Sequence, residues 1–593
     1  MTAGRWRSYA GALATGLLVI TGGALVLRNG PEPCVTLHVT SSTEKFRLVE
    51  HLAGRFRPGD GCVTVRVQGM NSGVAAQALA DGWAGPAVAG RPDRPHVWLP
   101  TSTMWVTKLR ARGLGELGAA PPSLAHSPLV IAMRRDMATS LGWPARELTW
   151  RDVLSLDKDA WAARGHPEWD RFTYAKDDPT RSTSGLAATV AAFYSAAGKT
   201  AGGFTVADAR SPEVRARVRQ VEANVVAHPP DIMDFLGRLS AADAGISAMV
   251  VQEELLYLHN QGNPTGIPGA APAPPGQQFV AIHPADGTLI LDHPYAILPG
   301  LSAAERAAAD DFLAFLREPE QRQAFADLGF RDEHDAAPPA LAASLGFDAV
   351  QRPPAAMPLP SAEVMDAVLA EWKAVSKRAN ILLVLDKSGS MGEPSGIPGA
   401  GTRMAAAKRA LADNLRLLNP DDRVELWSFA SDPDDLHPQL RPPTLLGNGA
   451  DLTAALAADT LAPAPPPHWD TALCVTVRDA QRALLGRLPP GEDTLNAVVV
   501  LTDGKDEYDR GDCAMTRDGP GDYLGDTLAA ADPRKRVRVF GIAFGPEADE
   551  AALREITTGT GGVTLDATGN PSKIGTAFAD IFATLSPGRP TID

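Results

Sequence analysis

The amino-acid sequence predicts an α/β fold with two separate units behind an apolar N-terminal segment. Short β-branched runs alternate with Ala- and Leu-rich helical segments along most of the 593 residues, which is typical of mostly parallel sheets covered by helices on both faces. A proline-rich stretch separates two such regions. With 44% hydrophobic and 21% charged residues, the composition is that of a globular protein, and the length allows several domains.

Residues 1–30 are a candidate signal anchor or transmembrane helix. Arg5 and Arg7 precede an uncharged run of 19 residues, 9–27, which is at the low end for a membrane span and long for a signal-peptide core. Positive charge before such a run favours a cytoplasmic N-terminus and export of everything after it. No small-x-small cleavage site follows Leu25. We therefore expect an uncleaved anchor, with a cleaved signal peptide as the alternative.

These features place the chain in the cell membrane as a single-pass protein whose bulk is extracytoplasmic. The net charge is −14, and the only dense basic cluster is the short PRKRVR ahead of a predicted strand, whereas phosphate binding needs concentrated positive charge. Nucleic acid is therefore excluded as an expected partner.

The four cysteines fit an exported protein. Cys34 and Cys62 each open a predicted strand, and neighbouring parallel strands would bring the two thiols within bridging distance. We expect a Cys34–Cys62 disulfide, which leaves Cys474 and Cys513 to pair by elimination. Their spacing contains no CxxC or Cys/His pattern of a zinc site.

Residues 34–335 form the first predicted unit. Strand, hydroxyl-rich turn and helix follow one another in CVTLHVTSSTEKFRLVEHLAGRF, and the scheme repeats in CVTVRVQGMNSGVAAQALADGW and in HVWLPTSTMWVTKLRARG. The prolines of residues 336–360 then predict a linker that permits independent motion of the two units.

Residues 361–586 form the second predicted unit. Ser361 is a candidate N-cap for a helix with apolar residues at helical spacing, namely Val364, Val368, Leu369, Trp372 and Val375. Residues 381–385 follow as a strand suited to burial on both faces, and RVELWSF, NAVVVLT and RVRVFGIAF indicate three more. We expect a doubly wound, Rossmann-like domain.

Polar side chains follow two strands of this second unit. Asp386, Ser388 and Ser390 come directly after the first strand, Asp503 follows NAVVVLT, and Thr471 opens a predicted helix. Ligands of open α/β sheets bind beyond the carboxyl ends of the strands, and hard divalent cations prefer oxygen donors. Asp-x-Ser-x-Ser alone is equally typical of a helix cap or tight turn, but the combination favours a metal site.

DKSGSM, Thr471 and LTDG together resemble the metal-ion-dependent adhesion site of von Willebrand factor A domains, and RMAAAKRAL and NPDDRVELWSFA are similar to that family too. The resemblance covers residues 361–586. It implies that Ser388, Ser390 and Thr471 coordinate Mg²⁺, or Mn²⁺ or Ca²⁺, directly. Asp386 and Asp503 would act through water, and an open position on the ion would accept a carboxylate from a partner protein. Asp470 stands where the family commonly has glycine, and it would add charge nearby.

Hydroxyl-rich turns recur before helices in the first unit, at residues 41–43, 71–73, 101–103 and 182–185. Such turns are good N-caps, and helix N-termini can also hold an anion or polar solute. VTSSTEK, VWLPTSTMW, DPTRSTSGL, ADGTLILDHPYAIL and QRQAFADLGFRD resemble segments of bacterial extracellular solute-binding proteins of the two-lobed periplasmic type II. The resemblance implies a small polar solute in a cleft between the lobes, in contact with Ser42, Ser72, Ser102 and Ser184.

The combined interpretation is an exported, membrane-anchored binding protein rather than an enzyme. A metal-dependent hydrolase is one alternative, with Asp386 and Asp503 activating a water, but the sequence has no GxSxG or HExxH motif. A cytoplasmic chelatase-like partner of an ATPase is another, and the predicted anchor argues against it. The first unit could also serve as a docking platform without a solute.

Overall fold

The computed structural model describes residues 34–58, 62–83, 93–114, 117, 120–199, 201–229, 232–241, 246–345, 355–415, 417–419, 421–430, 439–445, 470–487, 494–506, 537–560 and 562–586. The predicted membrane anchor, residues 1–30, lies outside these ranges. Within them, each helix is too short or too polar to cross a bilayer.

The first unit alternates strands and helices as its sequence pattern predicts. Its strands are β1 (Val35–Ser41), β2 (Val63–Gly69), β3 (Val97–Leu99), β4 (Ser127–Arg134), β5 (Tyr174–Ala175), β6 (Val225–Ala227), β7 (Ala248–Gln252), β8 (Phe279–Ile282), β9 (Thr288–Leu291), β10 (Ala296–Ile297) and β11 (Ala356–Met357). Its helices are α1 (Thr43–Arg55), α2 (Ser72–Ala80), α3 (Thr103–Ala111), α4 (Arg135–Ser140), α5 (Trp150–Leu154), α6 (Thr183–Ala197), α7 (Val206–Ala209), α8 (Pro212–Ala223), α9 (Ile232–Ala241), α10 (Glu253–Asn260), α11 (Ala303–Leu316), α12 (Pro319–Asp327), α13 (Pro339–Leu345) and α14 (Ala362–Val375).

Two sheets form the two lobes of this unit. The first is 4-stranded, in the order β10-β3-β1-β2, with β1 parallel to both β2 and β3. The second is 7-stranded, in the order β11-β9-β4-β7-β5-β6, with β8 also paired to β4. Leu129 and Ile131 of β4 enter one hydrophobic core, whereas Val130 and Ala132 enter another. Both faces of the sheet are therefore covered, as predicted, but β4 pairs antiparallel with β7, β8 and β9, so this sheet is mixed and not mostly parallel.

The register of β1 on β2 explains the first disulfide. Val35 lies opposite Val63, so the residues just before them are neighbours, and Cys34 and Cys62 are bonded with their Cα atoms 4.5 Å apart. This prediction is confirmed. Cys474 is disulfide-bonded as well. Cys513, its expected partner, lies outside the described residues, so that pairing stays a prediction.

The second unit is built on a 6-stranded sheet in the order β14-β13-β12-β15-β16-β17. Its strands are β12 (Ala379–Asp386), β13 (Arg423–Phe429), β14 (Gln439–Leu445), β15 (Leu495–Thr502), β16 (Val537–Ala543) and β17 (Thr564–Asp566), and its helices are α15 (Arg403–Leu415), α16 (Leu473–Arg487), α17 (Glu550–Thr560) and α18 (Ile574–Leu585). All pairings are parallel except that of β13 with the edge strand β14.

Helices cover both faces of this sheet. Leu383 and Leu385 of β12 pack with α15 and α18, and Leu382 and Val384 pack with α16 and α17. Successive residues of one strand thus enter opposite cores. The doubly wound fold predicted for the second unit is confirmed.

Helix α14 packs on the first unit, although its place in the sequence had assigned it to the second. Met365, Val368 and Trp372 are fully buried in a core shared with α6 and α8. The expected linker is also partly folded, because β11 pairs with β9 of the first unit. Helical periodicity identified the buried face of α14 but carries no information about which core receives it.

A buried charged cluster lies beneath α14. Lys176 donates to Glu222 at 2.5 Å and to Thr189 at 3.0 Å, and its ammonium stands 5.3 Å from the centre of the Trp372 ring. His228 meets the same ring edge-on at 5.7 Å. Burial lowers the pKa of His228. The Trp372 ring therefore covers the Lys176 ammonium and the His228 imidazole. Removing the ring would leave both groups beside an empty space.

We expect Trp372→Ala to loosen the first unit selectively. Large-to-small substitutions of buried aromatic residues cost about 3–5 kcal/mol, and here the cation–π contact with Lys176 is lost too. Hydrogen exchange read by mass spectrometry should show faster exchange in α6 and α8, with β15 and β16 unchanged.

Glu363→Ala is the matched control, because Glu363 is an exposed residue of the same helix. Equal exchange in α6 and α8 for wild type and Trp372→Ala would contradict the role given to this side chain.

Candidate functional site

The five candidate metal ligands meet at the carboxyl ends of the strands in the 6-stranded sheet of the second unit. β12 ends at Asp386 and β15 ends at Thr502, and the parallel register places these two residues side by side. Ser388 then precedes a 3₁₀ turn, Gly389–Gly392, and Ser390 lies within it. The carboxyl ends of two adjacent central strands therefore present their polar residues at the same point.

Thr471 reaches this point from the segment before α16. A Cβ atom built on Gly504 would overlap the Thr471 hydroxyl, so glycine is what lets the threonine approach the residues after β15. The start of α16 is held by Asp506, whose carboxylate accepts from the backbone of Cys474 at 3.2 Å. Asp470, the departure from the family pattern, is exposed.

Hydrogen bonds already connect most of the site. Asp386 is fully buried, and it accepts from the Ser388 backbone at 2.8 Å and from the Thr502 hydroxyl at 2.6 Å. The Ser388 and Ser390 hydroxyls are 3.1 Å apart. Ser390 donates to Asp503 at 2.7 Å. Contacts within the protein thus orient these side chains.

Arg403 is a further member of the site, and the sequence pattern did not predict it. Its guanidinium donates to the second oxygen of Asp503 at 2.7 Å and to the Ser390 carbonyl at 3.3 Å. A cation at the first residue of a helix opposes the helix dipole. That unfavourable position in RMAAAKRAL was the signal available in the sequence.

Burial dominates the electrostatics of the two carboxylates. Burial and then the neighbouring Asp503 raise the pKa of Asp386 to about 7. Burial raises the pKa of Asp503 as well, against the opposing effect of Arg403. Two acidic groups so close together repel each other when both are charged, and a divalent cation between them would remove that repulsion.

The donor set fits a hard divalent cation. It comprises two carboxylates and three hydroxyls, all oxygen donors of the kind that Mg²⁺ prefers. The residues described contain no cluster of three or more His, Cys, Asp or Glu arranged for a metal. The candidate site has two acidic residues, Asp386 and Asp503, and its other oxygen donors come from serine and threonine. It therefore does not form a cluster of that kind.

The four candidate solute contacts are buried and largely bonded within the protein. Ser42 donates to Glu44 at 2.6 Å, and the Ser72 hydroxyl accepts from the Thr101 backbone at 3.0 Å. Ser102 caps α3 by accepting from Met104 at 3.3 Å. Ser184 lies on α6, and its buried hydroxyl has no hydrogen-bond partner among the described residues.

The N-terminus of α2 is occupied by the protein's own backbone. The Gly73 amide donates to the Arg181 carbonyl at 2.8 Å, and a Cβ atom on Gly73 would overlap the Thr180 and Arg181 carbonyls. Trp105 of α3 donates to Thr183 at 2.8 Å. The two lobes are therefore closed on each other at the turn where a solute was expected.

Comparison with known families accounts for both units. Residues 37–331 match the family described as bacterial extracellular solute-binding protein, and residues 380–573 match the von Willebrand factor type A domain. The chain joins a solute-binding domain to a von Willebrand factor A domain. Helix α14 lies between the two matched regions.

Relatives match most of this chain at low identity. An uncharacterized protein of Mycobacterium tuberculosis, found in two strains, is 26% identical over 576 residues, which cover 94% of this chain and 77% of the relative.

Similar solved structures cover one domain each. The sulfate-binding protein SubI of M. tuberculosis is 15% identical, with a TM-score of 0.35 over 56% of this chain and 96% of that one. A von Willebrand factor type A structure from Catenulispora acidiphila is 17% identical, with a TM-score of 0.27, and the match covers 35% of this chain and 42% of that one. BatB from Bacteroides thetaiotaomicron is 19% identical, with a TM-score of 0.26 over 34% and 97%.

Charged groups occupy the interior of the solute-binding domain beside Ser42. Lys45 contacts Ser42 and lies 3.2 Å from both Glu44 and His293. Burial and then Lys45 lower the pKa of His293 to about 4, and Lys45 holds the pKa of buried Glu44 well below its usual range. The hydroxyls of this segment were predicted to matter from the sequence pattern, whereas its charged side chains were not.

Glu254 lies near this cluster and has a carboxylate oxygen whose hydrogen-bonding capacity is unsatisfied among the described residues. It hydrogen-bonds with Ser127, but its other carboxylate oxygen is buried without a hydrogen-bond partner among the described residues. Burial raises its pKa to about 8, and the nearby Glu44 and Glu253 add to the shift. Folding therefore favours the protonated acid.

We expect Glu254→Gln to stabilise the protein as pH rises. A raised folded-state pKa gives stability that is complete below the unfolded value of about 4.5 and is lost up to about pH 8. Glutamine keeps the shape without that loss, and each unit of pKa difference corresponds to about 1.4 kcal/mol. The melting temperature of the variant should exceed that of wild type increasingly from pH 5 to pH 8.

Glu50→Gln, at an exposed position of α1, provides the control and should show no such trend. A constant difference between Glu254→Gln and wild type across this range would refute the assignment.

Proposed function

We propose that the chain is an extracytoplasmic, membrane-anchored binding protein whose von Willebrand factor A domain recognises a partner protein through a bound divalent cation. The convergence of Asp386, Ser388, Ser390, Thr471 and Asp503 at the carboxyl ends of the strands carries this proposal. The three hydroxyls would hold Mg²⁺, Mn²⁺ or Ca²⁺, and the two carboxylates would act through water. The cation would supply an electrophilic position for a partner's carboxylate oxygen.

Charge in the site supports a carboxylate as the partner group. Arg403 neutralises one of the two carboxylates by its contact with Asp503. A divalent ion would then leave the site with a net positive charge, which a single carboxylate can balance. Without Arg403 the ion would be fully neutralised by the protein itself, and a carboxylate would gain less by binding.

The same contacts argue for binding rather than catalysis. A hydrolase would need one carboxylate able to take a proton from a metal-bound water. Asp386 accepts two hydrogen bonds, and Asp503 accepts from Ser390 and pairs with Arg403. Both carboxylates are engaged in hydrogen bonds within the site and are poorly placed to take a proton from water, so we assign no enzymatic activity.

The solute-binding domain is proposed to bind a small solute outside the cytoplasm, or to act as a docking platform. The Cys34–Cys62 disulfide supports the location, because disulfides persist in oxidising compartments. Residues 1–30 would anchor the chain in the cell membrane by a single pass. Ser184 is the candidate solute contact whose hydroxyl is best placed to accept a new hydrogen bond.

We expect the full chain to bind Mg²⁺ or Mn²⁺ saturably in calorimetric titration, and Asp386→Ala to abolish the binding. Ser390→Ala keeps both carboxylates and the Arg403 pair, so it should weaken affinity by about tenfold, or roughly 1.4 kcal/mol, while the protein still melts as one folded species. Glu393→Gln is the control, because Glu393 is an exposed acid beside the turn. Unchanged titration in Asp386→Ala would refute the site.

We expect a periplasmic-type reporter, alkaline phosphatase, fused after Asp593 to be active in cells. Export of the bulk of the chain predicts this result, since the enzyme folds only where disulfides form. Deleting residues 1–30 should abolish the activity. An inactive fusion to an intact, expressed chain would place the protein in the cytoplasm and favour the chelatase-like alternative.

A further inference from the structure

A cavity of about 280 Å³ lies between α2, α3 and α14 of the first unit, and Thr180 and Arg181 complete its lining. Its volume is near the lower end of the range for small-molecule sites, about 300–1,000 Å³. Ser42, Ser72, Ser102 and Ser184 are not among its lining residues. One wall belongs to α14, which lies outside both matched families.

The charges around this cavity are predominantly positive. Lys108, Arg112, Arg181 and Lys373 line it, against one carboxylate, Asp366. Asp366 is paired with Lys108. Since the single acid is already engaged, the cavity favours an anion.

Among the residues that line the cavity, Arg181 gives the strongest indication of a ligand. Its side chain is only 11% exposed, and two of its guanidinium nitrogens, Nε and Nη1, are buried without hydrogen-bond partners among the described residues. The Asp580 carboxylate stands 3.8 Å from Nη2, which is beyond hydrogen-bonding distance. Arg181 therefore brings to the cavity a positive charge that no hydrogen bond to a carboxylate of the described residues compensates, and an anionic group in the cavity would compensate it.

The remaining walls are apolar. Trp105 and Leu109 of α3 face Val74 of α2 and Leu369 of α14 across the cavity. Such walls favour a ligand with a hydrophobic body. They also favour a singly charged group over a phosphate dianion, because each charge taken from water into an apolar setting adds a desolvation cost.

We propose that this cavity binds a small organic carboxylate, with its charged end at Arg181 and its apolar body between Trp105 and Leu369. The inference deepens the solute-binding role proposed above and rests on it, but it does not depend on the metal site. Such a ligand would join α3 to α14, and α14 leads directly into β12, the strand that ends at Asp386.

Titration of the full chain with benzoate tests the proposal. We expect saturable binding with a Kd of about 1 mM or tighter, and binding at least about tenfold weaker for benzamide, which has the same shape without the charge. Benzamidine and inorganic sulfate should also bind at least about tenfold more weakly, because one has the wrong charge and the other lacks an apolar body. Equal binding of benzoate and benzamide, or of benzoate and sulfate, would overturn the ligand class.

Arg181→Gln should lower benzoate affinity by about tenfold or more, the effect of losing hydrogen bonds to a charged group. Arg110→Gln is the matched control, since Arg110 is an exposed residue of α3 that is not part of the lining. Leu369→Trp should also abolish binding, by filling the cavity without removing charge. Melting curves of each variant separate lost binding from lost folding.

Unchanged benzoate affinity in folded Arg181→Gln would overturn the cavity as the site. A polar solute whose binding is lost in Ser184→Val but kept in Arg181→Gln would also overturn it, while leaving the solute-binding role in place. If neither benzoate nor any polar solute tested binds, both the cavity proposal and the solute-binding role are refuted.

Discussion

The parallel register of β12 on β15 is the constraint on which the second domain's site depends. Both strands are buried on two faces, so their apolar residues determine how they pair. That pairing brings Asp386 beside Thr502 and hence close to Asp503. Two acids are thus held together in a place where burial and repulsion both disfavour their charges. Packing of the core therefore enforces a local electrostatic cost.

The surrounding residues reduce that cost without removing it. Asp386 receives a backbone amide and a hydroxyl, and Asp503 receives a hydroxyl and the Arg403 guanidinium. A turn needed only for structure would not require a second buried acid, because its hydrogen bonds could be made by one. In the function proposed above, the pair is the negative half of a cation site, and Arg403 keeps that site from being fully neutralised by the protein.

The sequence predicted the strands of this site well because burial on both faces leaves an unmistakable apolar run. Asp386 and Asp503 were identified because they end such runs, and Ser388 and Ser390 by their spacing after the first. Arg403 was missed because its partner lies 100 residues away, and periodicity describes only one element at a time. The same limit applied to α14, whose apolar face was predicted correctly but whose receiving core was not.

The hydroxyl turns of the solute-binding domain show why a local pattern can have two outcomes. Ser102 acts as an N-cap, whereas Ser42 and Ser72 join a network with charged groups that the sequence pattern did not reveal. Closure of the lobes decides between capping and ligand binding, because it places the Arg181 carbonyl on the Gly73 amide. With its carbonyl so engaged, the Arg181 residue has its side chain in the lining of the adjacent cavity. The backbone contact that fills the expected anion position at α2 thereby supplies a cation to the cavity beside it.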